Sequence, residues 1–178
     1  MLYNRLLTFT LQRYEQMNRY KIWDLDGTVI DSSHRYSTLA NGDIDLPRWI
    51  ADNTRENIER DSLLPLARLM RSNYQQGDIV IICTARVLGI WDKVFLAEHG
   101  IKAQFTLSRA LGDNRGDAEM KRQKLLALFA SLSIPFARWT RNATFYDDNL
   151  GVLDMAEKLG IRTRNAVQLN LKLKGASL

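Results

Sequence analysis

The stretch YKIWDLDGT, Tyr20–Thr28, sets the reading of this chain. A short strand-like run leads straight into two aspartates one residue apart, and then Gly27. Carboxylates along a buried strand would be costly, because an unpaired charge resists leaving water. At the strand's tip they can face solvent or a ligand. The fold therefore turns on whether other strands end in the same place with matching chemistry.

Several do. Asp78–Thr84, DIVIICT, is a continuous apolar, β-branched run, as expected for a parallel strand covered on both faces. Thr84 ends it and Arg86 follows. Ile101–Leu107 reads as a third strand, Ala143–Tyr146 as a fourth that runs into Asp147 and Asp148, and Ile161–Leu169 as a fifth. Helical spacing covers Pro47–Gln76 (broken near Pro65), Val87–His99, Asp117–Leu132 and Asn149–Leu159. Alternating strands and helices with short connections predict an α/β fold, a doubly wound parallel sheet with helices on both faces. Such sheets bind ligands beyond the carboxyl ends of their strands. Asp24, Asp26, Thr84, Arg86, Asp147 and Asp148 are expected to meet there.

The bulk properties agree with a single domain of 178 residues, its core at 20–168 and residues 1–18 an accessory segment. At 46% hydrophobic and 25% charged, the composition is that of a globular domain rather than a disordered or fibrous chain. One cysteine, Cys83, lies inside the DIVIICT strand, which excludes an internal disulfide framework and suits a reducing cytoplasm. No apolar run has transmembrane length, and the N-terminus lacks a signal-peptide cleavage pattern, so no membrane partner is expected. The net charge of +5 favours polyanionic partners only broadly, because the basic residues are scattered.

Carboxylates converging on one crevice repel one another unless a cation sits among them. An all-oxygen donor set suits a hard ion, and Mg²⁺ is the natural one. Asp24 has the chemistry to attack phosphorus and form an aspartyl-phosphate. Asp26 is placed to give a proton to a leaving alcohol and take one from water. Gly27 permits a sharp exit from the strand, the Thr84 hydroxyl can meet a phosphate oxygen, and Lys121 can neutralise the phosphoryl oxygens. Alone, KRQK around Lys121 reads as a solvated helix face and Asp147-Asp148 as a helix cap. The set in this order is far more specific than any member. His34 and His99 show no partner pattern for a metal or a triad.

With these residues in place the chain resembles the haloacid dehalogenase (HAD) superfamily of phosphatases, through DLDGT at 24–28, the threonine of IICTAR at 84, Lys121, and the acidic pair of FYDDN at 147–148. The resemblance covers residues 20–168 and implies an aspartyl-phosphate mechanism with Mg²⁺, in which Asp24, Asp147, Asp148 and the backbone carbonyl of Asp26 hold the metal. Which of Asp147 and Asp148 is the direct ligand stays open, with the reading leaning to Asp147.

A narrower resemblance comes from SRALGDNRGDAEMK, Ser108–Lys121, which is similar to a segment in the 3′-phosphatase domain of bacteriophage polynucleotide kinase/phosphatase. It implies that Arg35 and Arg86 hold the phosphate or a nucleic-acid backbone, and that Arg115 contributes to substrate binding. It also implies that Asp117 orients Lys121 or Arg86; the four-residue spacing to Lys121 allows an ion pair. TAR stands where that domain has SGR. No GxxxxGK[ST] occurs, so 5′-kinase activity is not expected.

Only 57 residues separate Asp26 from Thr84 and 36 separate Thr84 from Lys121, which leaves little room for a full cap domain. The leading expectation is a Mg²⁺-dependent phosphatase acting on 3′-phosphorylated DNA or RNA ends. A 5′(3′)-deoxyribonucleotidase or another small-molecule phosphatase is the alternative, supported by Thr84 and the 57-residue spacing. A non-catalytic nucleic-acid-binding protein is a third reading, against which the paired aspartates and Lys121 weigh. The sequence is silent on oligomeric state, and a homo-oligomer is compatible with it.

Overall fold

The computed structural model describes residues 19–37 and 45–176. Residues 1–18, read as an accessory segment, lie outside the described residues. Five strands form one parallel sheet: β1 (Tyr20–Trp23), β4 (Ile79–Thr84), β5 (Phe105–Ser108), β6 (Ala143–Asp147) and β7 (Arg162–Asn165). Their order is β5-β4-β1-β6-β7, with β1 at the centre. The register pairs Trp23 with Ile82 on one side and with Tyr146 on the other. That alignment brings the ends of β1, β4 and β6 to one edge.

Alternation along each strand builds two cores. Trp23, Val80, Ile82 and Tyr146 face one way and pack against α3 (Leu66–Gln75), α4 (Ile90–Glu98) and the start of α8 (Ala166–Gly175). Ile22, Ile81, Cys83 and Phe145 face the other way, against α5 (Asp117–Ser131), α6 (Phe136–Asn142) and α7 (Leu150–Lys158). Cys83 is buried, and burial pushes its thiol up to about 12, as suits a small core residue. The doubly wound parallel sheet expected from the sequence is therefore the observed one.

Four expectations need correction. The region 47–76 is not one broken helix. It holds α1 (Leu46–Ala51), α2 (Arg55–Glu59), β3 (Ser62–Leu63) and α3, and β3 pairs antiparallel with β2 (Ile30–Asp31). Asp45 caps α1 by accepting from Arg48 N, and Thr54 caps α2 by accepting from Asn57 N, so two separate helix starts interrupt the run. The helix expected from Val87 begins at Ile90, where the Asp92 carboxylate receives Gly89 N. The fifth strand stops at Asn165. There the Asn165 side chain accepts from Gln168 N and starts α8, so the apolar residues after it belong to a helix. The third strand, expected from Ile101, begins at Phe105. Trp139, Arg141 and Asn142 lie on α6. Trp139 is 1% exposed and stacks on Phe129 with ring centroids 3.8 Å apart.

No helix among the described residues is long and apolar enough to cross a membrane. Replacing a fully buried, stacked aromatic leaves a cavity in the second core. Trp139→Ala is expected to lower unfolding stability by about 3–5 kcal/mol in a urea titration. A change within about 0.5 kcal/mol would mean the residue behaves as a surface position.

Candidate active site

Asp24 extends the central strand by one residue, since its N–H donates to Tyr146 O at 3.0 Å. Its carboxylate thus emerges at the edge where β6 ends in Asp147. Lys121 reaches both from α5. Its Nζ donates to Asp24 Oδ1 and to Asp147 Oδ2, at 2.8 Å each. Lys121 lies one helical turn before Leu125 and two before Phe129, so it continues the buried stripe of α5. That placement makes it a buried cation rather than part of a solvated face.

Gly27 turns the chain away from Asp24 with φ +67°, a left-handed conformation that favours glycine. A Cβ there would stand 2.3 Å from Asp148 Oδ2. The DLDGT turn and the acidic pair after β6 are therefore packed without room for a side chain. Asp147 Oδ1 accepts from Asn149 N at 2.9 Å, and Asn149 caps α7.

Asp24, Asp147 and Asp148 bring one carboxylate oxygen each to within 4.8 Å of one another. Burial raises Asp24 well above its usual range, and Asp147 and Asp148 add to that while Lys121 opposes it. Burial and then Asp147 push Asp148 up to about 6. Burial works against the Lys121 charge, but Asp24 and Asp147 hold it charged. Three carboxylates against one lysine leave negative charge uncompensated. The cluster fits a hard divalent cation such as Mg²⁺, held by Asp24, Asp147 and Asp148, because every donor is a carboxylate oxygen.

Asp26 faces a different partner. Its carboxylate receives Arg86 Nε at Oδ2, 3.1 Å, and Arg86 Nη2 and the Ser32 hydroxyl at Oδ1. Burial works against its charge, but Arg86 and Ser32 hold Asp26 below its usual range. The remaining Arg86 donors go to Asp61 Oδ2 and Asp92 Oδ1. Arg35 forks onto Asp61, with Nε to Oδ1 at 3.0 Å and Nη2 to Oδ2 at 2.8 Å, and its Nη1 donates to Asn53 Oδ1. Both arginines are buried, and Trp49 packs over the Arg35 guanidinium at 4.4 Å. Arg35 and Arg86, expected to hold phosphate or a nucleic-acid backbone, spend these donors on carboxylates and an amide inside the protein, and Arg86 also lines the crevice beside Asp26.

Asp117 also has another partner. Its Oδ1 accepts Arg109 Nη2 at 2.5 Å, while Lys121 spends its bonds on Asp24 and Asp147. The i,i+4 pair with Lys121 and the contact with Arg86 are replaced by this one. Arg109 lies in the Ser108–Lys121 segment, where nothing local marks its role. It further donates to the carbonyls of Ala85, Asp113 and Arg115, at 2.9, 2.8 and 2.7 Å. One buried guanidinium thus ties the turn after β4 to the loop before α5. Arg115 stands at the crevice rim, paired with Asp113. Thr84 is buried at the end of β4, where its hydroxyl accepts Arg86 N at 3.1 Å.

A crevice of about 880 Å³ opens at this edge, with Arg86 and Arg109 in its lining but not Thr84 or Arg35; its volume is within the usual range of small-ligand sites, about 300–1,000 Å³. Asp24, Asp26, Lys121, Asp147 and Asp148 form its floor; Tyr36, Pro47 and Trp49 form one wall and residues 114–119 the other. The first wall comes from the segment between β1 and α3, so that insert acts as a partial cover.

Metal binding requires ionised carboxylates. Because burial and Asp147 push Asp148 up to about 6, the Mg²⁺ concentration needed for half-maximal binding is expected to rise as pH falls through that value, measured by calorimetric titration. A Mg²⁺ affinity unchanged between pH 7 and 5 would contradict the ligand assignment. Gly27→Ala is expected to weaken Mg²⁺ binding at pH 7, since its Cβ would displace Asp148.

Comparison with known proteins follows the same lines. The chain is 26% identical over 182 residues to a 5′-deoxynucleotidase of Escherichia phage T5, covering 94% of this chain and 75% of the relative. Among solved structures, a chain of the Pnkp1/Rnl/Hen1 RNA repair complex is similar at TM-score 0.55 and 24% identity, over 83% of this chain. This chain spans only 42% of that one. A HAD-superfamily hydrolase of subfamily IA from Geobacter sulfurreducens is similar at TM-score 0.57 and 16% identity, over 82% of this chain and 88% of its own. These structures establish a HAD fold, in agreement with the resemblance carried by the four sequence motifs. Residues 11–177 match the family described as bacteriophage T5 5′-deoxynucleotidase, and the chain belongs to that family.

Proposed function

We propose that this protein is a Mg²⁺-dependent 5′-deoxynucleotidase that releases phosphate from deoxynucleoside 5′-monophosphates through an aspartyl-phosphate on Asp24. The observation that carries this reading is the joint placement of Asp24 and Asp26 on the floor of a crevice walled by the insert. The character of the T5 relative supports the substrate. The pairing of Arg35 and Arg86 with internal carboxylates weighs against a polynucleotide-binding role for them.

Lys121 occupies Asp24 Oδ1, which leaves Oδ2 to attack phosphorus. The bond from phosphorus to the 5′-oxygen breaks, and that oxygen takes a proton from Asp26. Water then attacks the aspartyl-phosphate and gives a proton to Asp26. The bond from phosphorus to Asp24 breaks, and inorganic phosphate leaves. Lys121 offsets charge on the phosphoryl oxygens throughout. Asp24, Asp147 and Asp148 would hold Mg²⁺, which would add charge neutralisation at the phosphoryl group. The resting site holds Asp26 in its base form, so it must take up a proton with the substrate before it can act as acid.

A polynucleotide 3′-phosphatase is the second reading. The likeness to the RNA repair complex and the exposed Arg115 at the rim favour it. Phosphate release from deoxynucleoside 5′-monophosphates, ribonucleotides and a 3′-phosphorylated oligonucleotide, assayed side by side, separates the two. Preference for the deoxynucleotides is expected; preference for the oligonucleotide would replace this reading with the second. Asp24→Asn is expected to abolish turnover and Asp26→Asn to reduce it by about 10²–10⁴-fold. EDTA should stop the reaction and Mg²⁺ restore it; full activity in EDTA would refute the metal requirement.

A further inference from the structure

Arg86 carries five N–H donors in a planar fork, and they are shared among three carboxylates. Only one of the three, Asp26, lines the crevice. Asp61 and Asp92 lie behind it, at 5% and 1% exposure. Asp61 follows α2 in the insert. It takes the Arg35 fork from the other side, while Asp92, on α4, takes Arg86 Nη1 at 2.7 Å and Asn53 Nδ2 at 2.9 Å. Asn53 closes the ring by accepting from Arg35 and donating to Val87 O at 3.1 Å.

This arrangement is more than a surface ion pair. A free arginine side chain has many rotamers, and fixing one has an entropic cost. Asp61 and Asp92 remove that freedom from the side of Arg86 facing away from the crevice. The fork that remains reaches Asp26 through both of its oxygens. Ser32, at the end of β2 in the same insert, holds Asp26 from a third direction. Two residues of the insert therefore converge on the group that handles the proton, and neither belongs to the superfamily motifs.

We propose that Asp61 is a positioning residue for Asp26: through Arg86 it fixes the carboxylate that protonates the leaving alcohol. The proposal rests on the phosphatase reading given above. It makes the insert that walls the crevice also the brace of the proton-transfer step. Small displacements of a reacting group are expensive in rate, about 10²-fold for 1 Å.

Leaving-group dependence separates positioning from general structural support. A nucleotide's 5′-alkoxide needs a proton as it departs, whereas p-nitrophenolate leaves as a stable anion. In single turnovers with enzyme in excess, which read the first step alone, Asp61→Asn is expected to release the nucleoside from its best deoxynucleotide about tenfold or more slowly and p-nitrophenolate at a nearly unchanged rate; the later attack of water, where Asp26 acts as base, is common to both substrates. In the Asp26→Asn background, Asp61→Asn should add no further loss. Ser32→Ala removes one hydrogen bond to Asp26 and leaves the arginine–carboxylate network intact, so it should fold and show the same selectivity more weakly.

Equal losses on both substrates, or no loss on either, would overturn the proposal. So would an additive loss in the double variant. If Asp61→Asn does not fold, Ser32→Ala decides: an unselective or absent effect there overturns the brace. Failure of the underlying reading looks different, because the wild-type protein would then release no phosphate from either substrate.

Discussion

A lysine with almost no access to water bridges two aspartates that are 97 and 26 positions away from it in the chain. That contact constrains the rest of the molecule. It is sustainable only if β1 and β6 are neighbours, end together, and have the start of α5 at their tips while the rest of the helix runs back along the sheet face. The parallel sheet supplies the first two conditions through its register, and the stripe Lys121, Leu125, Phe129 supplies the third. Removing either carboxylate partner alone would leave a buried charge short of compensation, which is the expensive direction. The geometry makes Asp24 both anchored and reactive, with one oxygen held and one free.

The site divides its charges into two groups. On one side three carboxylates exceed the single lysine, which invites a divalent cation. On the other, every carboxylate of Asp26, Asp61 and Asp92 meets a guanidinium of Arg86 or Arg35, and Trp49 packs over both arginines. Asp24 and Asp26 are two residues apart, yet they experience opposite environments: the first is pushed up by burial, the second held down by a guanidinium. Two carboxylates on one turn can thereby take different parts in one reaction. The Arg109 staple belongs to neither group. It fixes the loop that forms the opposite wall and sets where α5 begins.

The sequence was most readable where local pattern and chemistry coincide. Apolar runs ending in Asp24, Thr84 and Asp147 named both the strands and the edge at which they meet. It was less readable where a residue's meaning depends on a distant partner. Asp61, Asp92 and Arg109 look like ordinary surface residues in one dimension, and Arg35 and Arg86 look like free phosphate ligands. Only the fold shows which guanidinium meets which carboxylate. Some misreadings did have a local signal. Asn165 followed by Gln168 is a helix-start pattern that marks the end of β7, and Asp45 before Leu-Pro marks the start of α1. Trp139 carried no such signal, since its burial comes from stacking on a different helix.

The central claim is that the lysine-held Asp24 is the nucleophile. Acid-quenched turnover of the best substrate, carrying labelled phosphate, tests it directly when followed by peptide mapping. An acid-stable, alkali-labile label on the peptide containing Asp24, absent in Asp24→Asn, is the predicted result. Label on another residue, or rapid turnover by Asp24→Asn, would contradict the account.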